Sequence, residues 1–318
     1  MAVIENAKIT VVGAGAVGAA TAYASLIRGV ARHVALYDIN AAKVEAETLD
    51  LAHGSLFTGS SQIEGSSDIA VTEGSHVVIV TAGAAQQPGQ TRLELVGTNA
   101  RIFRSMIPQL VEASPQAVFV IVSNPCDVLT LLAQEQTSLP PERLFASGTV
   151  LDTSRLRWQL AQRAGVAASS IHAHIVGEHG DTEFPLWSTA TIGPVPLLEW
   201  KPEGRDPLTR DELDDVAHEV RTAAYKVIEG KGATNYAIGL SASRIAEAVL
   251  RDERAVLPVS TVLTDFHGLS DVALSVPSIV GSSGASPIHE TRFSDAELGL
   301  LHASADTIRA TAAEVRAA

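Results

Sequence analysis

One cysteine, Cys126, occurs in 318 residues. A lone cysteine closes no internal disulfide, and no neighbouring cysteine and histidine give it zinc-finger spacing, so a disulfide scaffold is excluded and a reducing, cytoplasmic setting is expected. Cys126 follows Asn124-Pro125 and reads as a small buried hydrophobe. Long apolar runs are missing too: none reaches the roughly 20 residues that cross a bilayer. The start "MAVIENAKITVV" lacks the basic, apolar and small-residue regions of a signal peptide, so neither export nor a membrane partner is expected. Positive charge is scarce, with 23 Lys and Arg against 36 Asp and Glu and a net charge of −13. Such a surface repels nucleic acid, and an anionic substrate has to be met by a few local arginines.

What is present is a globular composition, 46% hydrophobic and 19% charged, without low-complexity tracts or internal repeats. The length suits two domains. Up to about Val150, short apolar runs ("KITVV", "HVALYD", "HVVIVTAG", "AVFVIVS", "LFASGTV") alternate with helical patterns, among them "RLELVGTNARIFRSMIPQLV". That alternation predicts an α/β fold, a doubly wound parallel sheet covered on both faces, over residues 1–149. Residues 150–318 read as an α+β domain. Strands are expected in "IHAHIVGEHG", "PLWSTATIGPVPLLEW", "VLPVSTVL" and "VALSVPSIV", and helices from Thr209 and from about Thr234. Capping boxes are predicted at Thr91 with Glu94, Thr209 with Glu212 and Ser294 with Glu297. Helical spacing predicts buried faces at Leu213, Val216, Val220, Ala223 and Val227, and at Leu301, Ala305, Ile308, Ala312 and Val315.

"VVGAGAVG" places Gly13, Gly15 and Gly18 in GxGxxG spacing between a strand and a helix. The three glycines would serve a tight turn, backbone approach to a pyrophosphate and close helix packing, with the helix N-terminus facing phosphate charge. Alone the pattern is weak; the next strand, however, ends on Asp38, where a carboxylate can accept from ribose hydroxyls. This Rossmann signature predicts a dinucleotide. Asp38 would repel a 2′-phosphate and no arginine follows in "DINAAK", so NAD is expected rather than NADP.

Downstream lie "SNPCD", "LDTSRLR" and "IVGEHGDTE". Oxidising a 2-hydroxy acid needs a base for the hydroxyl proton, a cation for the carboxylate and a dipole on the nascent carbonyl, and these residue types supply all three. Over essentially its whole length the chain resembles the lactate and malate dehydrogenase family, most of all its bacterial L-lactate branch. The resemblance implies that His179 is the acid/base, that Asp152 orients and charges its imidazole, and that Arg155 grips the substrate carboxylate. It places Asn124 and Thr234 on the pocket wall. The implied NAD-lining set is Gly13, Gly15, Val17, Gly18, Asp38, Lys43, Gly83, Ala84, Ser105, Val122, Ser123, Asn124 and Ser147. No metal is implied.

The stretch "TAGAAQQPGQTR" follows a parallel strand and carries no charge before Arg92, so it reads as a glycine-hinged lid that would carry Arg92 inward, and the resemblance implies that Arg92 polarises the substrate carbonyl. Gln86 occupies the position where malate dehydrogenases carry an arginine for a second carboxylate. A neutral amide there favours pyruvate and (S)-lactate, with malate and oxaloacetate the alternative. Arg157 and His172 match positions that bind fructose 1,6-bisphosphate between subunits of many bacterial relatives, and the family implies a homotetramer. A role in lactate fermentation follows from the same resemblance. Two other classes stay open on the residues alone: a metal hydrolase built on "HAHIVGEH", and a dinucleotide-binding protein without catalysis.

Overall fold

A computed structural model describes Ile4 and residues 6–84, 92–204 and 206–317, without the side chains of residues 92 and 93. Gln86 and Thr91, with its predicted cap on Glu94, therefore lie outside the described residues, as does the side chain of Arg92.

The first half alternates as its apolar runs dictate: β1 (Lys8–Val12), α1 (Ala16–Arg28), β2 (His33–Tyr37), α2 (Ala41–His53), β3 (Gln62–Ser66), β4 (Val77–Val80), α3 (Arg92–Ala113), β5 (Val118–Ile121), α4 (Cys126–Gln134) and β6 (Leu144–Ala146). These six strands pair in parallel in the order β6-β5-β4-β1-β2-β3. The β4 and β5 side chains are buried throughout, as a sheet covered by helices on both faces requires. Two elements escaped the sequence reading. β3, "QIEGS", is an edge strand too polar to show a core pattern, and α4, "CDVLTLLAQ", is almost wholly buried and so lacks amphipathic contrast.

The second half holds α5 (Val150–Ala164), the short strands β7 (Ile171–His172), β8 (Ile175–Val176), β9 (Phe184–Pro185), β10 (Thr191–Ile192) and β11 (Val195–Pro196), then α6 (Arg210–Lys231), α7 (Tyr236–Leu250), β12 (Ala255–Val262), β13 (Ala273–Gly281), β14 (Gly284–Pro287) and α8 (Asp295–Ala317). β12, β13 and β14 do not form a sheet of their own. β12 pairs antiparallel with β6, extending the parallel sheet to nine strands. One apolar cluster likewise runs from Val11 and Val34 to Ile245 and Val280, joining both halves.

Both capping boxes among the described residues form, at Thr209 with Glu212 and at Ser294 with Glu297. The predicted face of α8 is buried at all five positions. On α6 the expected face holds for Leu213, Val216 and Val220, but Ala223 is only half-buried and Val227 is exposed, because the helix runs past the core it packs on. Cys126 is buried, as its composition suggested.

α7 crosses α1 at backbone contact: a Cβ on Gly239 would lie 2.8 Å from the Ala20 carbonyl oxygen. Glu247, also on α7, is buried and paired with Arg28 of α1 and, at 2.6 Å, with Arg251. Gly239→Ala is therefore expected to destabilise despite alanine's helix preference of about 1 kcal/mol, since overpacking costs ~1–3 kcal/mol. Gly299→Ala on α8, where a Cβ meets nothing within 4 Å, should stabilise instead. Urea unfolding of both variants reads the two opposite signs.

Candidate active site

Most of the predicted dinucleotide residues stand together because they follow the carboxyl ends of parallel strands, while Val17, Gly18, Lys43 and Ser105 lie on the helices after them. Gly13 comes after β1, Asp38 after β2, Gly83 and Ala84 after β4, Val122, Ser123 and Asn124 after β5, and Ser147 after β6. Backbone bonds stitch these ends together: Gly13 N–H donates to Tyr37 O at 2.7 Å, Thr81 N–H to Val12 O at 2.8 Å, and Ser147 N–H to Ile121 O at 2.8 Å. The Ser123 hydroxyl adds a bond to Ala82 O at 2.6 Å.

The glycine loop fits a bound dinucleotide residue by residue. Gly13 has φ +101°, and a Cβ there would sit 2.8 Å from Ala82 N; this is the tight turn. At Gly18 a Cβ would fall 1.7 Å from Gly13 O, so helix and loop touch backbone to backbone. At Gly15 nothing lies within 4 Å, and α1 begins there without a side-chain cap. Its open N–H donors suit a pyrophosphate. Asp38 accepts from Ala14 N–H at 2.7 Å and from Asn40 N–H at 2.9 Å, and each oxygen keeps a lone pair for a ribose hydroxyl. Val17 lies on α1 beside this loop, and Lys43 sits exposed in the first turn of α2. Ser105 is exposed on α3 and spends its hydroxyl on Ile102 O at 2.9 Å.

Asn99 escaped the sequence reading. Buried on α3, it accepts from Ala84 N–H at 2.7 Å and donates to Asn124 O at 2.9 Å, bracing two of the cofactor loops. A signal existed: Asn99 is a polar residue on the stripe Val96, Ala100, Phe103, Ile107, Leu110.

His179 and Asp152 meet across 27 residues, with His179 Nδ1 2.7 Å from Asp152 Oδ2. Two anchors bring them together. Ile175 N–H donates to Thr153 Oγ1 at 2.8 Å, tying β8 to the start of α5, and Gly177 exchanges backbone bonds of 2.9 Å with Ser275 on β13. Asp152 lies inside the first turn of α5 and does not cap it, because the helix already begins at Val150. Asp127, next to the cis Asn124-Pro125 bond, accepts the His179 backbone N–H at 2.8 Å. This buried aspartate was also missed, although it ends the quoted "SNPCD".

Burial opposes a charged imidazole at His179, but the Asp152 carboxylate, its hydrogen bond and the acidic groups of Glu183 and Asp127 outweigh it and raise the pKa to about 9. Burial likewise opposes the charge on Asp152, yet His179 and Arg155 hold its pKa below the usual carboxylate value. Asp127 is pushed up to about 6, chiefly by burial. Arg155 Nη1 donates to Asp152 Oδ1 at 2.6 Å, which sets its guanidinium beside the pair. With Nδ1 committed to Asp152, Nε2 is the nitrogen left to exchange a proton with substrate. Thr234 sits half-buried in the connection between α6 and α7.

Arg157 points elsewhere. Its Nε donates to Ala173 O at 3.0 Å and its Nη2 lies 3.2 Å from His174 Nε2, while His172 is exposed on β7. Burial and the charges of Arg157 and His172 push the pKa of His174 down to about 4. Glu178 turns to Thr182 Oγ1 at 2.6 Å, so the run "HAHIVGEH" scatters its side chains over separate partners. No helix among the described residues is long and apolar enough to cross a membrane.

Residues 7–146 match the lactate/malate dehydrogenase NAD binding domain, and residues 149–318 the lactate/malate dehydrogenase alpha/beta C-terminal domain. The chain is 47% identical to the L-lactate dehydrogenase of Bifidobacterium animalis subsp. lactis over 98% of both chains. It is 44% identical to that of Kosmotoga olearia over 95% of this chain and 94% of the other. Among solved structures, the ligand-bound minor L-lactate dehydrogenase of Enterococcus mundtii superposes with a TM-score of 0.92 at 38% identity, covering 97% of this chain and 98% of that one. The glycine loop with its open helix end, the Asp152–His179 pair and these matches along the full chain agree: it belongs to the lactate/malate dehydrogenase family, and its cofactor is NAD.

Proposed function

We propose that the protein is an L-lactate dehydrogenase, reversibly reducing pyruvate to (S)-lactate. The observation that carries this reading is the Asp152–His179 pair with Arg155 beside it, in a chain whose near relatives are named L-lactate dehydrogenases. The glycine loop and Asp38 would hold the NAD, which would supply a hydride acceptor in its oxidised form and a hydride donor in its reduced form. The protein's own residues do the rest. Arg155 holds the substrate carboxylate, and in reduction His179 gives its Nε2 proton to the carbonyl oxygen while Asp152 stabilises the imidazolium throughout. In oxidation the neutral imidazole takes the hydroxyl proton. Arg92, at the first position of α3, is assigned to polarising the carbonyl, and Asn124 and Thr234 to the pocket wall.

Reduction needs the imidazolium, so kcat/KM for pyruvate should hold at neutral pH and be lost by about pH 9; oxidation needs neutral imidazole and should rise over the same range. Asp152→Asn removes the charge that lifts His179. Both limbs then move to lower pH, and pyruvate reduction at neutral pH falls roughly 10²-fold or more. Steady-state pH profiles in both directions check this.

Substrate choice is assigned to Gln86, whose neutral amide accommodates a methyl group but leaves a second carboxylate without a counter-charge. Wild type should prefer pyruvate over oxaloacetate, and Gln86→Arg should shift the ratio of specificity constants toward oxaloacetate by roughly two powers of ten or more. A wild-type preference for oxaloacetate would favour the malate reading instead.

We assign a regulatory site for fructose 1,6-bisphosphate to Arg157 and His172, and a homotetrameric assembly. The exposed Tyr23, Ile27, Phe57, Tyr236 and Leu240 border one groove and support association with a second copy. The role expected is the last step of lactate fermentation in the cytoplasm, consistent with the single buried thiol. Fructose 1,6-bisphosphate should lower the KM for pyruvate in wild type and not in Arg157→Gln; identical saturation curves with and without it, at mildly acidic and neutral pH, would remove the regulatory assignment.

A further inference from the structure

Behind the proton-transfer pair lies a third acid. Glu183 directly precedes β9 and is only 4% exposed. One of its carboxyl oxygens, one from Asp152 and a ring nitrogen of His179 all lie within 4.8 Å of one another. Its Oε1 is buried without a hydrogen-bond partner. The Nε of Arg221, on α6, is also buried without one, although Arg221 Nη2 donates to the Glu183 carbonyl oxygen at 3.2 Å.

Two carboxylates this close to each other cannot both ionise freely in a buried site. Asp152 has the first claim on the imidazolium, through a direct bond, and on Arg155, so Glu183 is the group that keeps a proton. We propose that Glu183 is a positioning residue for the proton transfer: its buried carboxyl is neutral when substrate binds, and its ionisation sets the upper pH limit for an anionic substrate.

The charges that bear on Glu183 are Asp152 and Arg155 from α5, His179 on its own loop and Arg221 from α6; Asp127 of α4 and Glu178 lie behind the histidine. Burial first, then Asp152, raises the carboxyl to about 8 against the pull of the three cations. When Glu183 ionises, the site gains a negative charge beside the imidazolium. That charge repels a 2-oxo acid anion but steadies the imidazolium. KM for pyruvate should therefore rise as Glu183 ionises.

The proposal rests on the pyruvate reading for its kinetic consequence, but a direct titration tests it without substrate. In ¹⁵N-imidazole spectra of the substrate-free enzyme, the His179 signal is identified by its loss in His179→Asn. In Glu183→Gln its midpoint should fall by roughly half a pH unit or more, because a neighbouring negative charge is gone. Glu183→Asp keeps the charge one methylene further back and should give an intermediate midpoint, which also guards against a Gln variant that folds poorly. The rise in KM for pyruvate between pH 8 and pH 9 should vanish in Glu183→Gln. An unchanged His179 midpoint in well-folded Glu183→Gln overturns the proposal. A shifted midpoint in a protein that turns over oxaloacetate and not pyruvate would instead overturn the substrate reading and leave Glu183's role standing.

Discussion

The bond between the Asp152 carboxylate and the His179 ring is the interaction around which the second half of the chain is organised. A carboxylate this buried is costly unless its charge is compensated. Here His179 takes one oxygen and Arg155 the other. The price is a demanding local architecture: α5 must start at Val150, β8 must lie against Thr153, and the loop after Gly177 must be held on β13. The short strands of this region make sense as clamps for that loop, since strands of two residues could not stand alone.

The nucleotide half was legible in the sequence because its signals are local. A glycine loop and an acid one strand later require only neighbouring residues, and Gly13, Gly15 and Gly18 occupy the turn, the open helix end and the backbone contact that their spacing implies. The strands β4 and β5 were equally plain as uninterrupted apolar runs. What could not be read was set by distant partners. β3 is a strand because β2 offers it an edge, and α4 hides its helical period by being buried all round. The union of β12 with β6 depends on a pairing across more than a hundred residues, which no local pattern encodes.

The residues of the candidate site follow the same division. Asp152, Arg155 and His179 stand in short motifs and could be named from them. Asn99, Asp127 and Glu183 act through contacts made by folding: a brace between two loops, an acceptor for a histidine backbone, and a third acid beside a pair. Asn99 and Asp127 left faint traces, one as a polar interruption of an apolar stripe and the other at the end of a quoted motif. Glu183 likewise ends a quoted motif, "IVGEHGDTE", but a glutamate two residues past a glycine-aspartate turn looks like any solvated loop acid, and nothing local marks it as buried.

The sheet that runs unbroken from the glycine loop's strand, through β6, into β12 and β13 has a further consequence. β1 carries the loop that would hold the dinucleotide, while β13 anchors the loop bearing His179. The glycine loop and the His179 loop thus belong to one mechanical frame, further locked by the crossing of α1 and α7. Their separation is set by the spacing of the strands between them. A continuous sheet of this kind resists a swinging apart of the two halves, which leaves side chains and loops as the parts that most cheaply move to admit a ligand.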